Sequence, residues 1–204
     1  MKFILGEKQH MTQVFDETGR VHPVTVVKTV PVVVNQIKTL ETDGYDAVQV
    51  GYGEQKESRL GKAILGHMKK AGQAFRVLKE NRVSEEGIDV AVGDKIDLNA
   101  FAVGDSVVAV ATSKGKGFQG VVKRHGFSGG PRTHGQKHNE RSPGSIGAGG
   151  VQKVRKGKRM GGRMGSDRVT LKGVKIVHIN QETGELFLRG AIPGRRGTLV
   201  EIRG

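Results

Sequence analysis

Apolar and β-branched residues fall along most of this chain in short runs, four to ten residues long, separated by turn residues. Met11–Phe15 reads as a short extended run and Asp16–Gly19 (DETG) as a turn. VHPVTVVKTV (Val21–Val30) alternates and is rich in β-branched residues, which fit a pleated, half-buried surface. Pro31 interrupts, VVVNQIKT (Val32–Thr39) continues as a strand, and Thr42–Gly44 turns into YDAVQVGYG. DKIDL, SVVAVAT, VKIVHIN, ELFLRG and TLVEIRG follow as further strands, with QETGE (Gln181–Glu185) as a hairpin turn. The tetrad AVGD, at Ala91–Asp94 and Ala102–Asp105, is a turn feeding a strand each time. One stretch has helical spacing: SRLGKAILGHMKKAG (Ser58–Gly72) places Leu60, Ile64, Met68 and Ala71 on one face. Gly61 and Gly66 shorten that helix. Many short strands with little helix predict a mainly β protein, a barrel or a sandwich.

From Thr112 to Arg168 the pattern stops, and here the charge changes the picture. The chain has 204 residues, 35% hydrophobic, with a formal net charge of +14. Thr112–Arg168 carries 14 of the 34 Lys and Arg and only Glu140 and Asp167 in opposition, a net of +12. The remaining residues hold 20 basic and 18 acidic groups. The same segment holds 15 of the 32 glycines and two aromatics, Phe118 and Phe127. Ordering each residue costs about 1–2 kcal/mol of backbone entropy, and so little apolar area does not offset it. The segment therefore reads as an extended arm ordered by a polyanion, with a disordered basic linker as the plain alternative. Strands on both sides make it an out-and-back excursion from a discontinuous body, 1–111 and 169–204.

The chain has no cysteine, which excludes disulfides and cysteine-based sites. MKFILGEKQHM is too short in its apolar part for a signal core or a membrane span, so a soluble intracellular protein is expected.

TSKGKGFQGVVKRHGF (Thr112–Phe127) contains G-x-G-x-x-G at Gly115, Gly117 and Gly120, and raises a nucleotide-binding enzyme as a rival. A dinucleotide loop needs a helix after it, and VVKRHGFSGGPR yields none of useful length. Kinase V-A-I-K, H-R-D and D-F-G elements are missing. KGF lacks the rest of an RNA-recognition signature, and the GXXG tetrads GFQG and GRMG lack flanking helices. His125, His134 and His138 have no cysteine and only Glu140 nearby, so a metal site is not expected, nor any cofactor. No nucleophile stands beside a base, so no enzymatic activity is expected.

Phosphate binding remains. The expected cations are Lys114, Lys116, Lys123 and Arg124, then Arg132, Lys137 and Arg141, then Lys153, Arg155, Lys156, Lys158, Arg159, Arg163 and Arg168. His125, His134 and His138 would donate to phosphates or base edges. Gly115, Gly117, Gly120, Gly144, Gly147 and Gly157 would let the backbone approach RNA closely. If about eight of the cations meet duplex phosphates, log K falls against log salt with a slope near about −7. A membrane partner would want an amphipathic stripe that the arm lacks. A generic nucleic-acid chaperone shares the charge argument and stays open.

These motifs, with THG (Thr133–Gly135), RSPGSIGAG (Arg141–Gly149), VRKGKRMGGRMG (Val154–Gly165) and RVT (Arg168–Thr170), resemble the bacterial-type large-subunit ribosomal protein of the universal L-three family. GEKQHMTQVF (Gly6–Phe15) is similar to that family's opening, and GAIPG (Gly190–Gly194) to its closing turn. The resemblance implies a closed six-stranded barrel of the translation-protein type. It also implies a small α+β insertion at about 55–83 and a long basic loop, 112–168, threading rRNA toward the peptidyl transferase centre. Implied partners are large-subunit rRNA and neighbours of the L-fourteen and L-nineteen families, in the cytoplasmic ribosome, with a role in subunit assembly and no homo-oligomer. His10 stands where the family has glycine, Asn139-Glu140 interrupts a basic or aromatic stretch, and Arg155 replaces a common aromatic. Gln152 does not align with the glutamine that some relatives methylate.

Overall fold

A computed structural model describes residues 2–83 and 90–204, so the expected body is described except at Met1 and 84–89. The chain divides into two compact units, Met1–Thr112 with Arg168–Gly204, and Ser113–Asp167.

In the first unit β1 (Phe3–Phe15) and β2 (Val21–Thr29) form a long hairpin. The chain then builds a separate sheet from β3 (Val32–Lys38), β4 (Ala47–Glu54), β5 (Phe75–Arg82) and the two-residue β6 (Lys95–Ile96). β7 (Ser106–Thr112) returns to the first sheet. After β8 (Phe118–Gln119) and β9 (Gly162–Arg163) of the second unit come β10 (Arg168–Asn180), β11 (Glu185–Arg189) and β12 (Leu199–Arg203). Six strands close an antiparallel barrel in the order β1-β12-β7-β10-β11-β2. The expected closed six-stranded barrel is present.

Where two adjacent positions are both buried, both faces of a strand are covered. Phe3, Ile4 and Leu5 are fully buried in succession, as are Val24 to Val27 within a few per cent. The second sheet explains part of this. Val32, Val34, Val48 and Val50 join Leu5, Val27, Leu186, Leu188 and Ile202 in one continuous core. The other face of that sheet buries Val33 with Met68 and Phe75. Met68 lies on α2 (Lys62–Met68), the helix expected within Ser58–Gly72. It follows α1 (Leu40–Asp43), one turn at the β3–β4 connection. The stretch 55–83 thus supplies α2 and β5 to a sheet that begins at Val32.

Several strands differ in extent from expectation. β1 starts at Phe3, eight residues before Met11, because Phe3 to Glu7 pair with β12. Its polar stretch EKQH hides that pairing. A bulge separates Lys8 from Met11, and His10 sits in it without positive φ, so histidine fits there as readily as glycine. Only Lys95–Ile96 of DKIDL is strand, and a 3₁₀ turn takes Leu98–Ala100. Both AVGD tetrads make the same turn. Asp94 accepts the Ala91 N–H at 2.7 Å and Asp105 the Ala102 N–H at 3.1 Å, each just before its strand.

Candidate nucleic-acid interface

Ser113–Asp167 begins and ends as an antiparallel ladder. The Ser113 N–H donates to the Asp167 carbonyl (2.8 Å), Lys116 N–H to Met164 (2.9 Å), and Met164 N–H to Gly117 (3.0 Å). Phe118 then faces Arg163 across β8 and β9. Gly165 makes the ladder possible. Its φ is +79°, and a Cβ there would overlap the Lys114 carbonyl.

Beyond β8 the chain makes α3 (Val121–His125), a five-residue helix entered at Gly120 and ended by Gly126 in the left-handed region. Val121 is the buried hydrophobic residue of this unit. Arg124 and His125 both donate to the Met160 carbonyl, at 2.8 and 3.1 Å, tying α3 to the returning chain. From Ser128 to Arg159 the backbone is turns and extended pieces. Gly130 N–H donates to the Asn139 and Glu140 carbonyls, and a Cβ on Gly129 (φ +76°) would overlap the latter. His134 and His138 both have φ near +60°. Their spacing is therefore not that of a helix, and no cluster that could hold a metal occurs among the described residues.

The structure separates the seventeen expected contact residues into groups. Arg124 and His125 are half-buried and engaged with Met160. Arg132 holds Glu140 through Nε (3.0 Å) and Nη2 (2.8 Å). Arg168 lies outside the unit, on β10, with Nη2 2.7 Å from Glu201. The side chains of Lys114, Lys116, Lys123, Lys137 and Arg141 are exposed and bound to no protein group among the described residues. The same holds for Lys153, Arg155, Lys156, Lys158, Arg159 and Arg163, and for His134 and His138. Of the six expected glycines, Gly117, Gly144 and Gly157 have φ between +68° and +79°. A Cβ on any of the six except Gly115 would meet only open space. At Gly115 it would come 3.0 Å from Ser166 Oγ.

The G-x-G-x-x-G loop does not have the geometry of a nucleotide site. The preceding β7 belongs to an antiparallel barrel, Gly120 starts a single helical turn, and the Gln119 side chain folds back onto the Lys116 carbonyl. A dinucleotide loop needs a parallel strand and a full helix.

Sequence reasoning missed three features. Phe118 is 79% exposed, an aromatic face open to a base. In the barrel unit, buried Glu201 gathers Lys79 (3.2 Å), Arg168 (2.7 Å) and Arg203 (3.0 Å). Burial pushes its carboxyl up, but Lys79, Arg168 and Arg203 outweigh that and hold it below the ordinary glutamate value. The third is a basic cluster around α2, at Lys56, Arg59, Lys62, Lys69 and Lys70, which a local charge count would have found.

Comparison with known proteins bears on this arrangement. The family model described as "Ribosomal protein L3" matches residues 88–191. "Large ribosomal subunit protein uL3" of Herpetosiphon aurantiacus is 46% identical over 200 residues, covering 98% of this chain and 94% of that protein. The protein of the same name from Carboxydothermus hydrogenoformans is 46% identical over 204 residues, covering 99% and 96%. With a closed six-stranded barrel interrupted by a glycine-rich cationic unit, and likeness along nearly its whole length, the chain belongs to the bacterial type of the ribosomal protein L3 family.

Proposed function

We propose that the protein is a non-enzymatic structural constituent of the large ribosomal subunit, in the cytoplasmic ribosome. It binds large-subunit rRNA, and Ser113–Asp167 packs among rRNA segments toward the peptidyl transferase centre. Neighbours of the L-fourteen and L-nineteen families complete the setting, and early binding supports subunit assembly. One observation carries the reading. Eleven lysine and arginine side chains of this unit are exposed without protein partners, while Val121 is its buried hydrophobic residue. Such a surface has no internal use and repels itself until phosphates neutralise it. The fixed positive-φ glycines present backbone N–H groups among those cations, which suits a polyanion lying close to the main chain.

The test is co-sedimentation with large subunits at physiological salt, alongside titration of folded large-subunit rRNA and of a random duplex. Recovery in the subunit pellet and preference for the folded rRNA are expected. Recovery only in the soluble fraction overturns the reading, and equal affinity for both RNAs favours a generic chaperone instead. Saturable binding of ATP, GTP or NAD, abolished by Gly117→Val, would restore the nucleotide alternative.

A further inference from the structure

The helix packed on the second sheet contains one glycine that its own fold does not require. Gly61 is the extended N-cap of α2, a position that suits glycine, but Gly66 lies in the middle of the helix and outside the left-handed region. A Cβ added at Gly66 would meet nothing within 4 Å. Glycine inside a helix weakens it relative to alanine. Here no turn, no strained backbone and no close neighbour within the chain accounts for it.

The surroundings of Gly66 supply a reason. Lys56, Arg59, Lys62, Lys69 and Lys70 are all exposed, and their side chains bond to no other group among the described residues. Glu57 is the one acidic residue between Lys56 and Gly72. Lys62 and Gly66 are one turn apart, so they share a face, and Lys69 and Lys70 extend it. Met68 turns to the other side, where it is 4% exposed against Val33 and Phe75. His67 is not part of the cationic face, because its Nε2 donates to Gln49 Oε1 at 2.7 Å and pins the helix to the sheet. A cleft of about 390 Å³ runs beside the helix, lined by Gly66, Lys69 and Gly72 together with Glu57, Leu65 and Met68, so a phosphate path lies over the outer face of Gly66 and not in the cleft.

We infer that this face is a second polyanion contact, in which an rRNA phosphate backbone lies over Gly66 between Lys62 and Lys69–Lys70. The missing side chain lets the sugar–phosphate chain approach the helix closely, and the flanking ammonium groups neutralise it. The inference rests on the rRNA-binding reading above but adds a site that reading does not include. It also assigns α2 a purpose beyond covering the sheet. The charge is sufficient for the task, since five unpaired cations stand against one carboxylate between Lys56 and Lys70.

The two requirements pull apart under one substitution, which makes the idea testable. Gly66→Ala in the full chain should raise the thermal midpoint, because a helix interior prefers alanine. It should nevertheless weaken binding to a full-length large-subunit rRNA transcript, and Gly66→Leu should weaken it further. Replacing Lys62, Lys69 and Lys70 together by glutamine should leave the midpoint unchanged and make the salt slope of binding shallower by about 2–3. That change should add to the effect of replacing Lys153, Lys156 and Lys158, which lie in the other unit. Wild-type protein that fails to bind the transcript overturns the functional reading itself. Wild-type binding with an unaltered slope in the triple variant, or unaltered affinity in both Gly66 variants, overturns only this site. Loss of incorporation into subunits with intact affinity for naked rRNA also overturns it, in favour of a protein neighbour at α2.

Discussion

Glu201→Gln tests the electrostatics of the barrel most sharply. The side chain is nearly isosteric, so the substitution removes charge and leaves packing in place. Glu201 Oε1 receives Lys79 from β5, and Oε2 receives Arg168 from β10 and Arg203 from β12. One carboxylate therefore joins the second sheet to two strands of the barrel. Its side chain is 7% exposed, whereas those of Arg168, Lys79 and Arg203 are 61%, 41% and 33% exposed. Breaking a fully buried pair costs about 3–5 kcal/mol, and an exposed pair is worth about 0–1 kcal/mol. The three cations keep much of their water, so the loss falls between these limits, at about 2–3 kcal/mol. For a chain of this size that is a fall of on the order of 4–12 °C in the thermal midpoint.

The pH dependence supplies the refutation. Glu201 is held below its ordinary value in the folded protein. A depressed carboxyl contributes stability that is complete above the unfolded value of about 4.3 and is lost as pH falls through the folded value. Glutamine resembles the protonated acid, so the midpoints of wild type and variant should lie apart at pH 7 and converge in acid. Calorimetry from pH 7 to pH 3 reads this directly. Equal midpoints at pH 7, or a gap that persists undiminished at pH 3, would show that the carboxylate charge is not what joins these strands.

Four further outcomes follow from other groups. Glu140→Gln releases Arg132, so binding to folded rRNA should tighten and its salt slope steepen by about 0.7–0.9. Arg132→Gln should change the slope less than Lys156→Gln, because Glu140 already neutralises Arg132. Phe118→Ala should weaken rRNA binding by about 1–3 kcal/mol if a base stacks on the ring, with no change in the thermal midpoint, since the ring is exposed. Carbon-detected titration should find the Asp16 carboxyl near 2, below its ordinary 3.8, because the Thr18 hydroxyl, the Arg20 and Thr18 N–H groups and His22 all bond it.

The barrel strands were legible as short apolar and β-branched runs between turn residues. SVVAVAT and ELFLRG are such runs, and β7 and β11 fall on those residues, β11 with alternating burial and β7 with Ala109–Ala111 buried in succession. β1 was only half legible, because Glu7 and Lys8 are strand through pairing with β12 and β2, a tertiary cause absent from local pattern. The division into a barrel and a four-stranded sheet was not legible either. VVVNQIK and VHPVTVVKT have the same β-branched composition, yet one pairs with β4 and β6 and the other with β1 and β11. Partner choice is set by register and by Pro31, not by propensity. The polar seam under α2, where Asn35 and His67 both donate to Gln49, also lies beyond pattern reading.

The cationic unit was legible from charge and glycine alone, because composition decides whether a segment can offset its own entropy. What composition hides is which cations are already engaged. In the barrel unit some basic groups are answered by carboxylates, as Lys2 by Asp105, Lys38 by Glu80 and Arg76 by Glu7, while, among the described residues, those around α2 are not. In Ser113–Asp167 one ion pair, Arg132 with Glu140, is set against eleven unpaired cations among the described residues. The short ladder and α3 must hold against that repulsion with one buried valine between them. Salt would therefore act with opposite sign in the two states of this unit. Free of RNA, it screens the repulsion and favours the ladder. In the RNA-bound state proposed above, it would compete with phosphates and withdraw the binding free energy that orders the same residues.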